Sequence, residues 1–167
     1  FVDINPHDRF NLSKMIVGSE GTLCVVTKAK INLVPVPKLK ALVVINFRDV
    51  IEACEATWEI LQHDPAAVEL IGSMIIDKYR SNMGFDHLRE IIDGQPDALL
   101  VVEVNANTTQ ELESKLDGLE KGIAKKKLGY SSKRIMDKTR QSSVWEFRKA
   151  GLGLLMSTKG DSKPLPF

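Results

Sequence analysis

Arg148 stands where periodicity puts apolar side chains. With Val144 at zero on a helical wheel of about 100° per residue, Leu155 falls at about 20°, Arg148 at about 40°, Leu152 at about 80° and Gly151 at about 340°. The guanidinium thus lies in the middle of an apolar arc, with Glu146 and Lys149 on the other side. It stays charged at any ordinary pH, and burying it alone is very costly. It must meet a carboxylate: one of the protein's own, with Glu69 and Glu103 as candidates, or one carried by a ligand. The second chemical feature is Gly18-Ser19-Glu20-Gly21-Thr22, set between apolar runs. Glycine admits positive φ or the close approach of a ligand, and polar turn residues bond loop backbone. By itself this motif reads either as a tight turn between strands or as backbone lying against a ligand.

The elements that must position these groups can be read from the patterning. Residues 23–34 alternate, with Val26, Lys28, Lys30 and Asn32 against Thr27, Ala29, Ile31 and Leu33, which predicts a half-buried strand. Pro35 and Pro37 then interrupt pairing. Beyond them the expected order is a strand at 41–47, a helix at 50–62, a strand at 67–71, short helices at 73–79 and 86–92, a strand at 98–105, a helix at 109–127, a strand at 130–136 and a helix at 140–156. The 50–62 helix shows Ile51, Cys54, Trp58 and Leu61 on one face. The 109–127 helix opens with a capping box, Thr108 and Glu111, carries Leu112, Leu116, Leu119 and Ile123 in a stripe, and ends at Gly129. Its lysines 125, 126 and 127 suit the negative end of the helix dipole and read as a solvated end rather than a nucleic-acid patch.

This order predicts an α+β ferredoxin-like sandwich with a mostly antiparallel four-stranded sheet, helices on one face. The apolar face carries Val43, Ile45, Phe47, Leu100, Val102 and Val104. The other mixes apolar side chains with Asn46, Glu69, Glu103 and Asn105, and is expected to be bare: either solvated or turned toward a cofactor and substrate.

The chain has 167 residues, 43% of them hydrophobic, and a net charge of +1. So balanced a charge gives no electrostatic footing for nucleic acid or an anionic membrane. No apolar run approaches the roughly 20 residues that span a bilayer. Two cysteines, Cys24 and Cys54, form no disulfide framework and no C-x-x-C pair, which points to a reducing, cytoplasmic setting. His7, His63 and His87 have no ligand spacing, so no metal site is expected. The chain begins at Phe1 and ends in a proline-containing segment at Phe167, and is read as a fragment of a longer protein.

The run Ile16-Val17-Gly18-Ser19-Glu20-Gly21-Thr22-Leu23-Cys24-Val25-Val26-Thr27, followed by Pro35-Val36-Pro37, resembles the end of the FAD-binding domain in FAD-linked oxidases of the vanillyl-alcohol-oxidase type. That group includes D-lactate and glycolate dehydrogenases. Cys24 departs from the pattern, standing where the family usually has glycine. Trp145-Glu146-Phe147-Arg148-Lys149-Ala150-Gly151, with Gly160-Asp161-Ser162-Lys163-Pro164 after it, is similar to the segments of D-2-hydroxyacid dehydrogenases in which an arginine and a lysine hold the substrate carboxylate.

The resemblance implies that residues 1–37 are a short β-rich remnant of an FAD-binding domain, and that 38–167 form a truncated C-terminal substrate domain. It implies FAD contacts at Gly18, Ser19, Glu20, Gly21, Thr22 and Val25, and substrate contacts at Arg148 and Lys163. No catalytic residue is carried over. Leu152, where some members have a polar substrate contact, is not carried over either. The implied activity is oxidation of a D-2-hydroxy acid, of the lactate or glycolate class, by hydride transfer to FAD. The run from Arg148 to Leu155 is also similar to a branch fused to an iron–sulfur segment, which implies such a segment or subunit as electron acceptor, and through it a membrane association. The fragment itself is expected to fold from about residue 39 onward, yet to be inactive and bind FAD only weakly. The alternative is a non-enzymatic ferredoxin-like domain that regulates or binds a partner.

Overall fold

The computed structural model describes residues 11–80, 90–157 and 160. The chain divides into two units, 1–35 and 36–167. In the first, Leu12–Val17 forms a short helix, α1, whose first turn is capped by Asn11, the side chain accepting from the Ser13 N–H at 3.0 Å. The strand expected at 23–34 is not formed: residues 24–37 have no regular structure, and Val25, Ile31, Leu33 and Val34 are exposed. Alternation marks a strand only where a neighbouring strand supplies donors and acceptors, and among the described residues none pairs with this one.

The second unit is α+β. Its strands are β1 (Leu39–Phe47), β2 (Ala67–Gly72), β3 (Ala98–Ala106) and β4 (Ser131–Ile135). They form one sheet in the order β2-β3-β1-β4, antiparallel at every junction. The helices are α2 (Val50–Leu61), α3 (Ser73–Arg80), α4 (Thr109–Lys126) and α5 (Lys138–Met156). On one face Val43, Ile45, Phe47, Leu100, Val102 and Val104 meet α2 and α4, as the patterning predicts. The capping box at α4 forms, with the Glu111 N–H donating to Thr108 Oγ1 at 3.2 Å. Its stripe of Leu112, Leu116, Leu119 and Ile123 is buried as expected. The helix stops earlier than expected, however. Lys127, at φ 55, takes the left-handed cap position, and Gly129 lies two residues further on, in the turn to β4.

The face expected to be bare is covered. Leu42, Val44, Ile71, Leu99 and Val101 pack under Ile76 of α3 and Val144 and Phe147 of α5, so the sheet carries helices on both faces. These strand residues are too apolar to leave in water, and α5 supplies the matching surface. Asn46, on the same face, is fully buried rather than solvated. Its amide donates to Ile91 O at 3.2 Å and accepts from the Asp93 N–H at 3.0 Å, tying the sheet to the loop before β3. Of the helix expected at 86–92, residues 86–89 lie outside the described set, and 90–92 form a turn and bend.

Helix α2 presents the opposite side from the one its large apolar residues suggest. Ala53, Ala56 and Ile60 are buried, while Ile51, Cys54, Trp58 and Leu61 face outward. Small alanines let the helix lie close to the sheet, and the two arcs are roughly opposite on the wheel. Trp58 is 74% exposed. Trp58→Ser should therefore change the unfolding free energy of this chain by less than about 1 kcal/mol. A core tryptophan would cost about 3–5 kcal/mol. Urea unfolding of the variant checks this, and a loss in the upper range would put α2 in the other orientation.

Candidate functional site

Helix α5 positions the candidate substrate residue. Asp137 caps it, its carboxylate accepting from the Arg140 N–H at 2.9 Å. Gln141 follows in the first turn, buried, and its amide donates to the carbonyls of Lys40, Ile135 and Met136 at 3.0, 3.2 and 3.0 Å. The helix is thereby tied to the ends of β1 and β4. Val144, Phe147, Gly151 and Leu155 then face the sheet. At Gly151 a Cβ would meet Ile75 Cδ1 at 3.1 Å, so the missing side chain lets α3 come close. Phe147 meets the ring of Tyr79 edge-on, with centroids 4.6 Å apart.

Arg148 follows Phe147 on the helix and reaches toward β2, the edge strand. There it meets Glu69. Arg148 Nε donates to Glu69 Oε2 at 3.1 Å and Nη2 to Oε1 at 3.2 Å, a two-point pair. Of the two carboxylates considered from the sequence, Glu103 is taken by Lys40, with Nζ at 3.0 Å. The expectation that Arg148 is buried is not met. Its side chain is 48% exposed and that of Glu69 34%. The wheel gives the correct direction, but among the described residues no strand lies beyond β2 to close over the guanidinium.

The pair lies on the wall of an open depression of about 410 Å³, lined also by Ser142, Trp145, Glu146 and Lys149. Patterning alone gives none of these four a role in a site. Their spacing of three, one and three residues is itself the signal, because it makes a single stripe along one flank of a helix. The depression holds two cations and two carboxylates, so a ligand entering it meets mixed charge.

Lys163, the second expected carboxylate contact, lies outside the described residues. Gly18, Ser19, Glu20, Gly21, Thr22 and Val25 belong to the N-terminal unit; the first five make a tight turn directly after α1, and Val25 follows it without regular structure. The Ser19 hydroxyl donates to Ile16 O at 2.7 Å and the Thr22 hydroxyl to Ser19 O at 2.6 Å. Both hydroxyls close the turn on itself, while Glu20 and Thr22 are exposed. Glu20 and Gly21 have φ of 49° and 76°, and the space where a Gly21 Cβ would stand is open. Val25 is almost wholly exposed.

No described helix is long and apolar enough to cross a membrane. Among the described residues no group of three or more His, Cys, Asp or Glu is arranged to hold a metal ion.

An antiparallel α+β unit with an arginine–carboxylate pair on an open flank is one such domain among many. Comparison with known families narrows the class. Residues 36–167 match the C-terminal domain of FAD linked oxidases, and the chain belongs to that family. It is similar to the D-2-hydroxyglutarate dehydrogenases of Pseudomonas putida and Escherichia coli K12, at 25% identity over 167 residues in each case, covering 95% of this chain. It is also similar to a probable mitochondrial D-lactate dehydrogenase of Danio rerio, at 37% identity over 70 residues, which is 41% of this chain and 14% of that protein. The chain spans 16% of the length of the two D-2-hydroxyglutarate dehydrogenases.

Proposed function

We propose that this chain is the substrate-binding part of a flavin-dependent oxidoreductase that oxidises a D-2-hydroxy acid to the 2-oxo acid. The observation that carries this reading is the family match over residues 36–167. The names of the relatives favour a 2-hydroxy acid, either a dicarboxylate such as 2-hydroxyglutarate or a monocarboxylate of the lactate and glycolate class. In this reading residues 1–37 close an FAD-binding domain and 38–167 form a ferredoxin-like substrate domain. The order β2-β3-β1-β4, with α2 and α4 as the crossover helices, supports that architecture.

Bound FAD would supply the acceptor for the hydride leaving C2 of the substrate. The residues of this chain bind and orient. Backbone at Gly18–Thr22 and Val25 would lie against the cofactor. Arg148, joined by Lys163, would hold the C1 carboxylate, since a guanidinium fork matches a carboxylate in plane and charge. Reoxidation would need an electron acceptor, for which the sequence resemblance suggests an iron–sulfur segment or subunit, in a cytoplasmic protein. The Arg148–Glu69 pair also favours a second reading, a non-enzymatic ferredoxin-like domain in which Arg148 is purely structural.

The absorption spectrum of the full-length protein separates the two. An oxidised flavin spectrum that bleaches on anaerobic addition of D-2-hydroxyglutarate or D-lactate is the expected result. A full-length protein purified without flavin, or one whose flavin stays oxidised with every D-2-hydroxy acid, would reject the enzyme.

A further inference from the structure

A guanidinium has two edges that can take a carboxylate, one formed by Nε and Nη2 and the other by Nη1 and Nη2. Glu69 occupies only the first. Among the described residues Nη1 of Arg148 has no hydrogen-bond partner. That second edge belongs to a side chain that is half exposed and lines the open depression beside Trp145 and Lys149.

We propose that Glu69 is a positioning residue for substrate binding: it grips the Nε edge of Arg148 and so holds the Nη1–Nη2 edge ready for the substrate carboxylate. This rests on the reading of Arg148 as a substrate contact. Glu69 is suited to the task by its backbone. It lies within β2, directly opposite Val101 of β3, so the ladder fixes its Cα. Arg148 by contrast ends a long flexible side chain on α5, and an unheld guanidinium would sample many rotamers. Holding it in advance removes that ordering cost from binding. The opposite possibility is that Glu69 competes with the substrate for Arg148. The use of only one edge speaks against that, because a carboxylate on the second edge displaces nothing.

The two possibilities give opposite signs in steady-state kinetics of the full-length, FAD-loaded enzyme, with whichever of D-2-hydroxyglutarate and D-lactate reduces its flavin. Positioning predicts that Glu69→Ala raises KM roughly five- to tenfold, the effect of releasing one long side chain, while kcat changes by less than about twofold. Glu69→Gln, which keeps one acceptor oxygen, falls between Glu69→Ala and the native enzyme. A fall in KM would show competition and overturn the proposal, as would an unchanged KM. A second readout needs no turnover. Positioning predicts that in the native protein the Arg148 Nε–H gives a distinct, exchange-protected resonance in nitrogen-15 spectra, which in Glu69→Ala moves to the position of a freely solvated arginine. A signal that is unmoved would also overturn the proposal. Arg148→Met tells the two levels apart. If it leaves kcat/KM unchanged, the substrate role of Arg148 fails and this proposal falls with it. If it cripples the enzyme while Glu69→Ala leaves KM alone, only the role of Glu69 is lost.

Discussion

Arg148→Met lowers kcat/KM of the full-length, flavin-loaded enzyme by a factor on the order of 100 or more, with flavin content unchanged. The estimate follows from what the variant removes. A two-point, charge-assisted pair with a substrate carboxylate is two hydrogen bonds between charged groups, together worth roughly 3 kcal/mol, and each 1.36 kcal/mol is about a factor of ten in rate. Methionine keeps most of the bulk and flexibility without the charge. Lys163→Met costs less, since a lone ammonium lacks the planar fork. Stability should scarcely change. The Arg148–Glu69 pair is half exposed, and exposed pairs contribute about 0–1 kcal/mol, so Tm moves by no more than about 3 °C. Kinetics and melting are measured on the same preparation. A variant that turns over normally, whatever its Tm, would remove Arg148 from the substrate site.

The parts of this fold that were legible in the sequence share one property: a single period that tertiary packing had no reason to override. Strands β1 and β3 alternate cleanly, so the division of Val43, Ile45 and Phe47 from Leu42, Val44 and Asn46 matches the two faces. The α4 stripe repeats every three or four residues and is buried as read. Helix α2 offered two arcs, and side-chain size favoured the wrong one, because a wheel weighs hydrophobicity and not how closely a helix approaches a sheet. Local patterning does not mark helix α5 as the cover of the second face. Its inward stripe includes Gln141 and Gly151, which add little apolar signal although one ties down the helix and the other admits α3. At the candidate site, angle was legible and depth was not. The wheel turns Arg148 toward the sheet, and Glu69 is one of two candidate carboxylates on it. That β2 forms an edge, leaving the pair half open, follows from long-range strand order that local patterning does not contain.

Phe147→Ala, one residue before Arg148, should have the reverse signature. Phe147 is 1% exposed and lies in the cluster that joins α5 to the sheet, beside Leu42, Val44, Leu99, Val101 and Ile76. Truncating a buried phenylalanine costs about 3–5 kcal/mol, the removed area plus the cavity it leaves. The upper half of that range is expected, because the floor of the cavity is two central strands, β1 and β3, that cannot sink to fill it. The edge-on contact with Tyr79 is lost as well. For a unit of this size the loss lowers Tm by on the order of 10–15 °C. Phe147→Leu, which keeps most of the volume, should lose about 1–1.5 kcal/mol. Below its own melting temperature the alanine variant should bind and turn over substrate far better than Arg148→Met, because the Arg148–Glu69 pair lies outside the cavity. Thermal unfolding followed by circular dichroism gives the stability, and initial rates taken well below the transition give the activity. A loss under about 1 kcal/mol would mean that α5 does not pack on this face of the sheet. That would also weaken the physical basis for placing Arg148 against Glu69, since Phe147 shares its buried cluster with Ile71 of the strand that carries Glu69.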